Sequence, residues 1–165
     1  MNNFLNEKAL ELRQGAIRAM FDRAKNFPGS INLGIGEPDL DTPEEIVEEG
    51  CNALRQGKTH YTANAGLIEL REKISQYLSR QKINVDPDKE IIVTTGGMGG
   101  LALALMVTLS PGDEVLIQDP QWLNYYSQVK FFGGVPVPVP VKEENGFRLK
   151  AEDIEKKITP RTKVL

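Results

Sequence analysis

The regular alternation of short apolar runs with helical segments after residue 90 most constrains the fold of this chain. The runs that predict strands are rich in β-branched residues and bounded by turn residues: Glu90–Thr95, Glu114–Gln118, Val135–Val141 and Thr162–Leu165. The segments between them predict helices over Leu101–Leu109, Trp122–Phe132 and 151–158. Strands and helices that alternate at this spacing form a mostly parallel sheet with helices on both faces. The sequence therefore predicts an α/β fold, an α/β/α sandwich, with the proline-containing run Val135–Val141 at a sheet edge.

The first ninety residues are predicted to be mainly helical. Apolar residues recur at helical spacing over residues 4–24, which predicts an amino-terminal helical arm. A second helix is expected to begin at Thr42-Pro43, with Thr42 as its cap and Glu45 completing a capping box. A third is predicted over Leu67–Leu78.

Composition excludes several classes of protein. The 165 residues carry 20 basic and 23 acidic side chains, a formal net charge of −3, which argues against a strongly basic nucleic-acid-binding domain. No apolar run reaches the 18 or so residues of a membrane span, and the polar start is no secretory signal. The single cysteine, Cys51, cannot build a disulfide framework or a multi-cysteine zinc site. We therefore expect a cytoplasmic protein without a metal site, a membrane partner or a nucleic-acid partner.

The glycine-rich stretch Thr94–Gly100 (TTGGMGG) stands between a predicted strand and an apolar helix. Glycines let a ligand approach the backbone, and the free N–H groups of a helix start favour an anion such as phosphate. A plain strand-to-helix turn without a ligand is the alternative. Leu101 and Ala102 follow where a Walker loop needs lysine and Ser/Thr, which argues against nucleotide triphosphate hydrolysis. The pattern Gly97-x-Gly99-x-x-Ala102, with Asp119 about 20 residues on, leaves a dinucleotide-binding oxidoreductase open.

The order of short motifs over residues 31–165 resembles that of class I aminotransferases, which are fold-type I pyridoxal-phosphate enzymes. The motifs follow one another in the family's register: Asn32–Asp39 with Thr42-Pro43, Gly57–Tyr61 with Gly66, Leu70 and Arg71, Val93–Gly97, Pro111–Val115, Asp119–Trp122 and Ile158–Thr162. The resemblance implies an incomplete large domain of that fold. It also implies a boundary near residue 45, with residues 1–45 forming the arm and part of the small domain and residues 46–165 the first part of the large domain.

The resemblance also implies roles for individual residues. The backbone N–H groups of Gly97 and Met98 would hold the 5′-phosphate of pyridoxal phosphate, and Trp122 would stack on its pyridine ring. Tyr61 would reach the phosphate of the neighbouring subunit, so a homodimer with shared sites is implied. Gly36 would lie against the substrate and leave room for the amino acid. The implied reaction transfers an amino group between an L-amino acid and a 2-oxo acid.

The lysine that forms the Schiff base with the cofactor has no counterpart in this chain, because none of its lysines stands in a matching context. The resemblance therefore implies that these residues alone are inactive. It also implies that Glu114–Gln118, Val135–Val141 and Thr162–Leu165 are neighbours in the sheet, while Glu90–Thr95 lies apart from its native partner. Open sheet edges and an uncovered apolar helix would then favour aggregation or pairing with another chain. A non-enzymatic regulatory domain with this fold is a further alternative.

Overall fold

A computed structural model of the protein describes residues 4, 6, 10, 16–31, 33, 36 and 38–165. The chain divides into two compact units, one formed by Gly36–Gly100 and the other by Met1–Ile35 with Leu101–Leu165. Helix α1, Ala16–Ala24, lies within the predicted amino-terminal arm, of which residues 5, 7–9 and 11–15 lie outside the described residues.

The unit Gly36–Gly100 contains helices α2, Glu44–Arg55, and α3, Ile68–Ser79, and the first turn of α4, Gly96–Thr108. Helix α2 begins one residue later than expected. Its N-cap is Pro43, whose carbonyl accepts from the amides of Ile46 and Val47, and no side chain caps it. The predicted capping by Thr42 is therefore wrong, because the extended backbone of Pro43 (φ −52°, ψ 139°) already supplies the geometry of an N-cap.

The strand predicted over Glu90–Thr95 is wrong for the part of the chain that the structure describes, since these residues pair with no strand. The amide of Val93 instead donates to the carbonyl of Ala65 at 3.0 Å, a contact with a loop. A β-branched run becomes a strand only when a neighbouring strand supplies hydrogen-bond partners along its length. The resemblance had implied that this run lies apart from the other three strands, and they form a sheet without it.

The unit that contains Leu101–Leu165 is built on a three-stranded parallel sheet. Strands β1, Glu114–Asp119, β2, Val135–Pro140, and β3, Thr162–Val164, lie in the order β2-β1-β3. Helix α5, Asn124–Phe131, connects β1 to β2. A 3₁₀ turn, Glu143–Asn145, and the short helix α6, Ala151–Glu155, connect β2 to β3. The predicted α/β fold, its parallel sheet and the three neighbouring strands are thereby confirmed.

Strand β2 (VPVPVP) lies at the sheet edge because of its alternating prolines. The amides of Val135 and Val141 donate to the carbonyls of Asp113 and Asp119 beside β1, both at 2.8 Å. Residues at alternate positions of a parallel strand direct their N–H groups to opposite neighbours, so the prolines occupy positions whose missing N–H would face away from β1. No strand among the described residues lies on that side.

The core of this unit lies on the face of β1 that carries Val115 and Ile117. Leu105 of α4 and Val129 of α5 pack against the side chains of Val115 and Ile117. The opposite side of α4 carries Val107, which is 77% exposed although the helix contains no charged residue. None of the described helices is long and apolar enough to cross a membrane.

Candidate functional site

The glycine-rich turn that opens α4 is shaped by Thr94 and Gly96. Gly96 has a φ of +72°, a conformation that side chains other than glycine rarely adopt. Its amide donates to the carbonyl of Thr94 at 2.9 Å, and the Thr94 hydroxyl donates to the Gly96 carbonyl at 3.0 Å. These two hydrogen bonds direct the chain into the helix and leave Gly97 exposed to solvent.

Gly97 and Met98 occupy the second and third positions of α4, as the predicted phosphate contacts require. A Cβ built on Gly97 would meet no atom within 4 Å, so its backbone is open to an approaching group. The first amides of a helix have no intrahelical acceptor, and the helix dipole favours negative charge at this end. The turn therefore fits a phosphate group held by backbone N–H groups, whereas Met98 offers no side-chain hydrogen bond for it.

Trp122 follows the carboxyl end of the central strand β1, which is the end where parallel sheets of this kind bind ligands. A cis peptide joins Asp119 to Pro120 just before it. The indole is 44% exposed and meets the ring of Tyr125 edge to face, with centroids 5.6 Å apart. One face of a large flat side chain is therefore available for stacking on a planar ligand.

Tyr126 is a residue of this sheet end that the sequence did not single out. Burial raises the pKa of its phenol, and the negative charge of Asp119 raises it further. The raised pKa keeps the phenol protonated to a higher pH than an ordinary tyrosine, so that it remains a hydrogen-bond donor. Tyr126 stands three residues before the buried Val129 on α5, and this helical spacing of an aromatic and an apolar residue is the signal that could have identified it.

Tyr61 and Gly36 lie in the other unit, and both are exposed. The Tyr61 side chain is fully solvent-accessible, which suits a residue that contacts another chain. A Cβ on Gly36 would meet no described atom within 4 Å, although Asn32, Gly34, Ile35 and Glu37 beside it lie outside the described residues. Within the described part of the chain, no group of three or more His, Cys, Asp or Glu side chains is placed to hold a metal ion.

The dinucleotide alternative requires that the strand before the glycine turn pairs with the strand that ends in Asp119. The described strands beside β1 are β2 and β3, and Glu90–Thr95 forms no strand. This topology does not support the alternative.

Comparisons with known proteins agree on one family. Residues 28–165 match the family model "Aminotransferase class I and II". The chain is 48% identical over 136 residues to a probable aspartate/prephenate aminotransferase of Aquifex aeolicus, which covers 82% of this chain and 34% of that protein. It is 41% identical over 162 residues to aromatic-amino-acid aminotransferase 2 of Thermococcus litoralis, which covers 98% of this chain and 42% of the relative.

A solved structure of the aspartate aminotransferase from Thermus thermophilus with maleate superimposes with a TM-score of 0.91 at 37% identity. The match covers 98% of this chain and 44% of that one, so the chain spans about two fifths of the length of such relatives. The sheet and helices described above are thus those of a fold-type I aminotransferase. The family match over residues 28–165 also includes Gly97, Met98, Trp122, Tyr61 and Gly36. The chain belongs to the class I and II aminotransferase family.

Proposed function

We propose that residues 1–165 are the amino-terminal portion of a pyridoxal-phosphate-dependent aminotransferase that transfers an amino group between an L-amino acid and a 2-oxo acid. Members of this family use pyridoxal phosphate, and their substrates are amino acids and oxo acids. The match of residues 28–165 to the family model is the observation that carries the proposal. These residues alone are inactive in this proposal, because no lysine among them stands where the family forms the Schiff base.

The glycine turn of α4 is the proposed phosphate site. Gly97 and Met98 would donate backbone hydrogen bonds to the phosphate, and the open space at the Cβ position of Gly97 supports this assignment. Bound pyridoxal phosphate supplies an electron sink for bond changes at the α-carbon of the amino acid. The task of the turn is to hold the charged end of the cofactor.

Other residues are proposed to orient the cofactor and its substrate. The half-exposed indole of Trp122 would stack on the pyridine ring and restrict its tilt. Gly36 would leave space beside the substrate. The fully exposed Tyr61 would reach the phosphate in a neighbouring subunit, which makes the functional protein a homodimer.

The remaining parts of the proposal concern organisation and compartment. A boundary near residue 45 would separate the arm and part of the small domain from the beginning of the large domain. The single cysteine supports a cytoplasmic location, since it cannot form an internal disulfide.

The test uses the complete polypeptide of which, in this proposal, residues 1–165 form the amino-terminal portion. Purified complete polypeptide with added pyridoxal phosphate should show a visible absorbance band of the bound cofactor, and an amino-acid substrate should shift it. Amino-group transfer to a 2-oxo acid should then be measurable, with none from residues 1–165 alone. Absence of the band, together with binding of NADH, would contradict the proposal.

A further inference from the structure

Arg71 is a buried cation in the unit Gly36–Gly100. Of the residues Ile68–Ser79, all of which are described, it alone is buried, with 6% of its surface exposed. Its Nε donates to the Gly66 carbonyl at 3.2 Å, and its Nη1 donates to the carbonyls of Pro87 at 2.7 Å and Asp88 at 3.1 Å. The Asp88 carboxylate is farther away, at 3.6 Å, and its side chain is 75% exposed.

These acceptors belong to two separate parts of the chain. Gly66 precedes α3, whereas Pro87 and Asp88 follow it. Burial of a charge is costly unless hydrogen bonds replace its hydration, and here backbone carbonyls provide most of them. A guanidinium can serve this role because its donors diverge in one rigid plane, which a lysine ammonium does not offer. Arg71 therefore ties the loop before α3 to the segment after it.

A second contact joins the same two segments. The amide of Val93 donates to the carbonyl of Ala65 at 3.0 Å. A Cβ on Gly66, whose φ is +93°, would lie 2.8 Å from Cβ and Cγ2 of Val93. The loop 61–66 thus rests directly on the chain that leads into α4.

Val93 directly precedes the glycine turn, so a fixed position of Val93 restrains where the turn begins. Thr94 comes next, and its hydrogen bonds with Gly96 shape the turn. A Cβ on Gly100 would lie 3.1 Å from the Thr94 hydroxyl, so the first helical turn also packs closely on this side chain. At the other end of the connection, Tyr61 stands four residues before Ala65.

We propose that Arg71 is a positioning residue for the cofactor: it holds the loop 61–66 in a fixed position relative to the glycine turn. The turn would bind the phosphate of this chain's own site, and Tyr61 on the loop would reach the phosphate in the neighbouring subunit. The inference rests on the proposed function and deepens it. A residue remote from the ligand would align the loop 61–66 with the glycine turn, the two elements proposed to contact phosphate. Arg71 itself touches no cofactor in this proposal.

The first test measures amide hydrogen exchange in the complete polypeptide without cofactor. Arg71→Met removes the three hydrogen bonds, and the exchange rates of the Val93 and Gly66 amides should rise about tenfold or more. Ser75→Ala is the matched control, because Ser75 lies on the same helix and its hydroxyl donates to the Val85 carbonyl at 2.7 Å. It should leave both rates within about twofold of the wild-type values.

The second test measures the Kd of pyridoxal phosphate for the folded fraction of each variant. Arg71→Lys keeps the charge and is the variant used if Arg71→Met does not fold. We expect either Arg71 variant to raise the Kd about tenfold, whereas Ser75→Ala, with a comparable hydrogen bond removed, should not raise it. A role confined to stability would lower the melting temperature of all three variants and leave the Kd of the folded fraction unchanged.

The inference would be overturned if the wild type binds pyridoxal phosphate and the Arg71 variants bind it with the same Kd. So would unchanged exchange at Val93 and Gly66 in Arg71→Met, or in Arg71→Lys where only that variant folds. A wild-type polypeptide that binds no pyridoxal phosphate would instead contradict the proposed function, which separates the two failures.

Discussion

Arg161 donates two hydrogen bonds to one oxygen of Glu114, from Nε at 3.0 Å and from Nη2 at 2.7 Å to Oε1. The hydroxyl of Thr159 donates to the other carboxylate oxygen. Glu114 is buried at the beginning of β1, and its amide donates to the Arg161 carbonyl at 2.8 Å. This cluster fastens the loop before β3 to the central strand at the point where their register shifts.

The Glu114 cluster predicts a loss of stability in acid. The hydrogen bond from Thr159, followed by those from Arg161, holds the Glu114 pKa below its ordinary value of 4.5 and outweighs the opposing effect of burial. A lowered folded-state pKa means that the stabilisation is present above about pH 4.5 and is lost as the pH falls through the lowered value. Urea unfolding midpoints of the complete polypeptide, measured from pH 6 downwards, should therefore fall more steeply for the wild type than for Glu114→Gln.

Asp153→Asn is the control for this measurement. Asp153 pairs with Lys156 at 3.0 Å on an exposed surface, where such a pair contributes little to stability. Its acid dependence should follow that of the wild type. Equal slopes for the wild type and Glu114→Gln would show that the buried cluster is not the source of the acid sensitivity.

The sheet could be predicted from the sequence because its determinants are local. The alternating prolines of β2 leave it only an edge position, and the apolar run of β1 is buried at Val115, Leu116 and Ile117, as a central strand requires. The segment Glu90–Thr95 failed as a prediction because its strand character depends on a partner, which composition cannot supply. The role of Arg71 could not be predicted either. Its acceptors are carbonyls before and after its helix, and only the folded chain brings them together.

The candidate site also contains some residues that the sequence predicts and others that it does not. The glycine turn was predictable, since glycines before an apolar helix are a local signal, and the structure shows Gly97 open to solvent. Thr94 and Tyr126 were not predicted, because the role of Thr94 follows from its hydrogen bonds with Gly96 and the raised pKa of Tyr126 follows from burial and the charge of Asp119. Residue type alone therefore indicates which ligand an element can bind. The residues that shape the element are identified only by their contacts in the folded structure.

Gly66→Ala should destabilise the protein far more than Gly57→Ala. Both glycines have positive φ, +93° and +71°, and alanine there costs roughly 1–2 kcal/mol. A Cβ on Gly57 meets no atom within 4 Å, whereas one on Gly66 would clash with Val93 at 2.8 Å. We expect a loss of about 1 kcal/mol for Gly57→Ala and roughly 3 kcal/mol for Gly66→Ala in urea unfolding. Equal losses would mean that Val93 moves away without cost.

Gly97→Ala should weaken the binding of pyridoxal phosphate without lowering the stability of the protein. Its methyl group would point into open space, so the free energy of unfolding should be unchanged or slightly higher. The same methyl group would occupy the proposed phosphate position and disturb charge-assisted hydrogen bonds worth about 1.5–3 kcal/mol each, which raises the Kd of pyridoxal phosphate at least about tenfold.

Gly50→Ala in α2 is the matched control for Gly97→Ala. Gly50 is also a helical glycine with no atom within 4 Å of a Cβ, but it lies outside the proposed site. Alanine there should stabilise the protein by roughly 0.5–1 kcal/mol and leave the Kd unchanged. An equal Kd for wild type, Gly97→Ala and Gly50→Ala would remove the glycine turn from the phosphate site.

Trp122→Ala should weaken cofactor binding with little effect on stability. The side chain is half exposed and its described ring contact is the edge-to-face pair with Tyr125, so we expect a stability loss within about 1 kcal/mol. Loss of stacking worth about 0.5–1.5 kcal/mol would raise the Kd of pyridoxal phosphate between about twofold and tenfold. Trp122→Phe keeps an aromatic face and should recover most of the affinity. Leu123→Ala, at a neighbouring position of similar exposure, should leave the Kd unchanged. If Leu123→Ala weakened binding as much as Trp122→Ala, the effect would come from the loop after β1 and not from the indole ring.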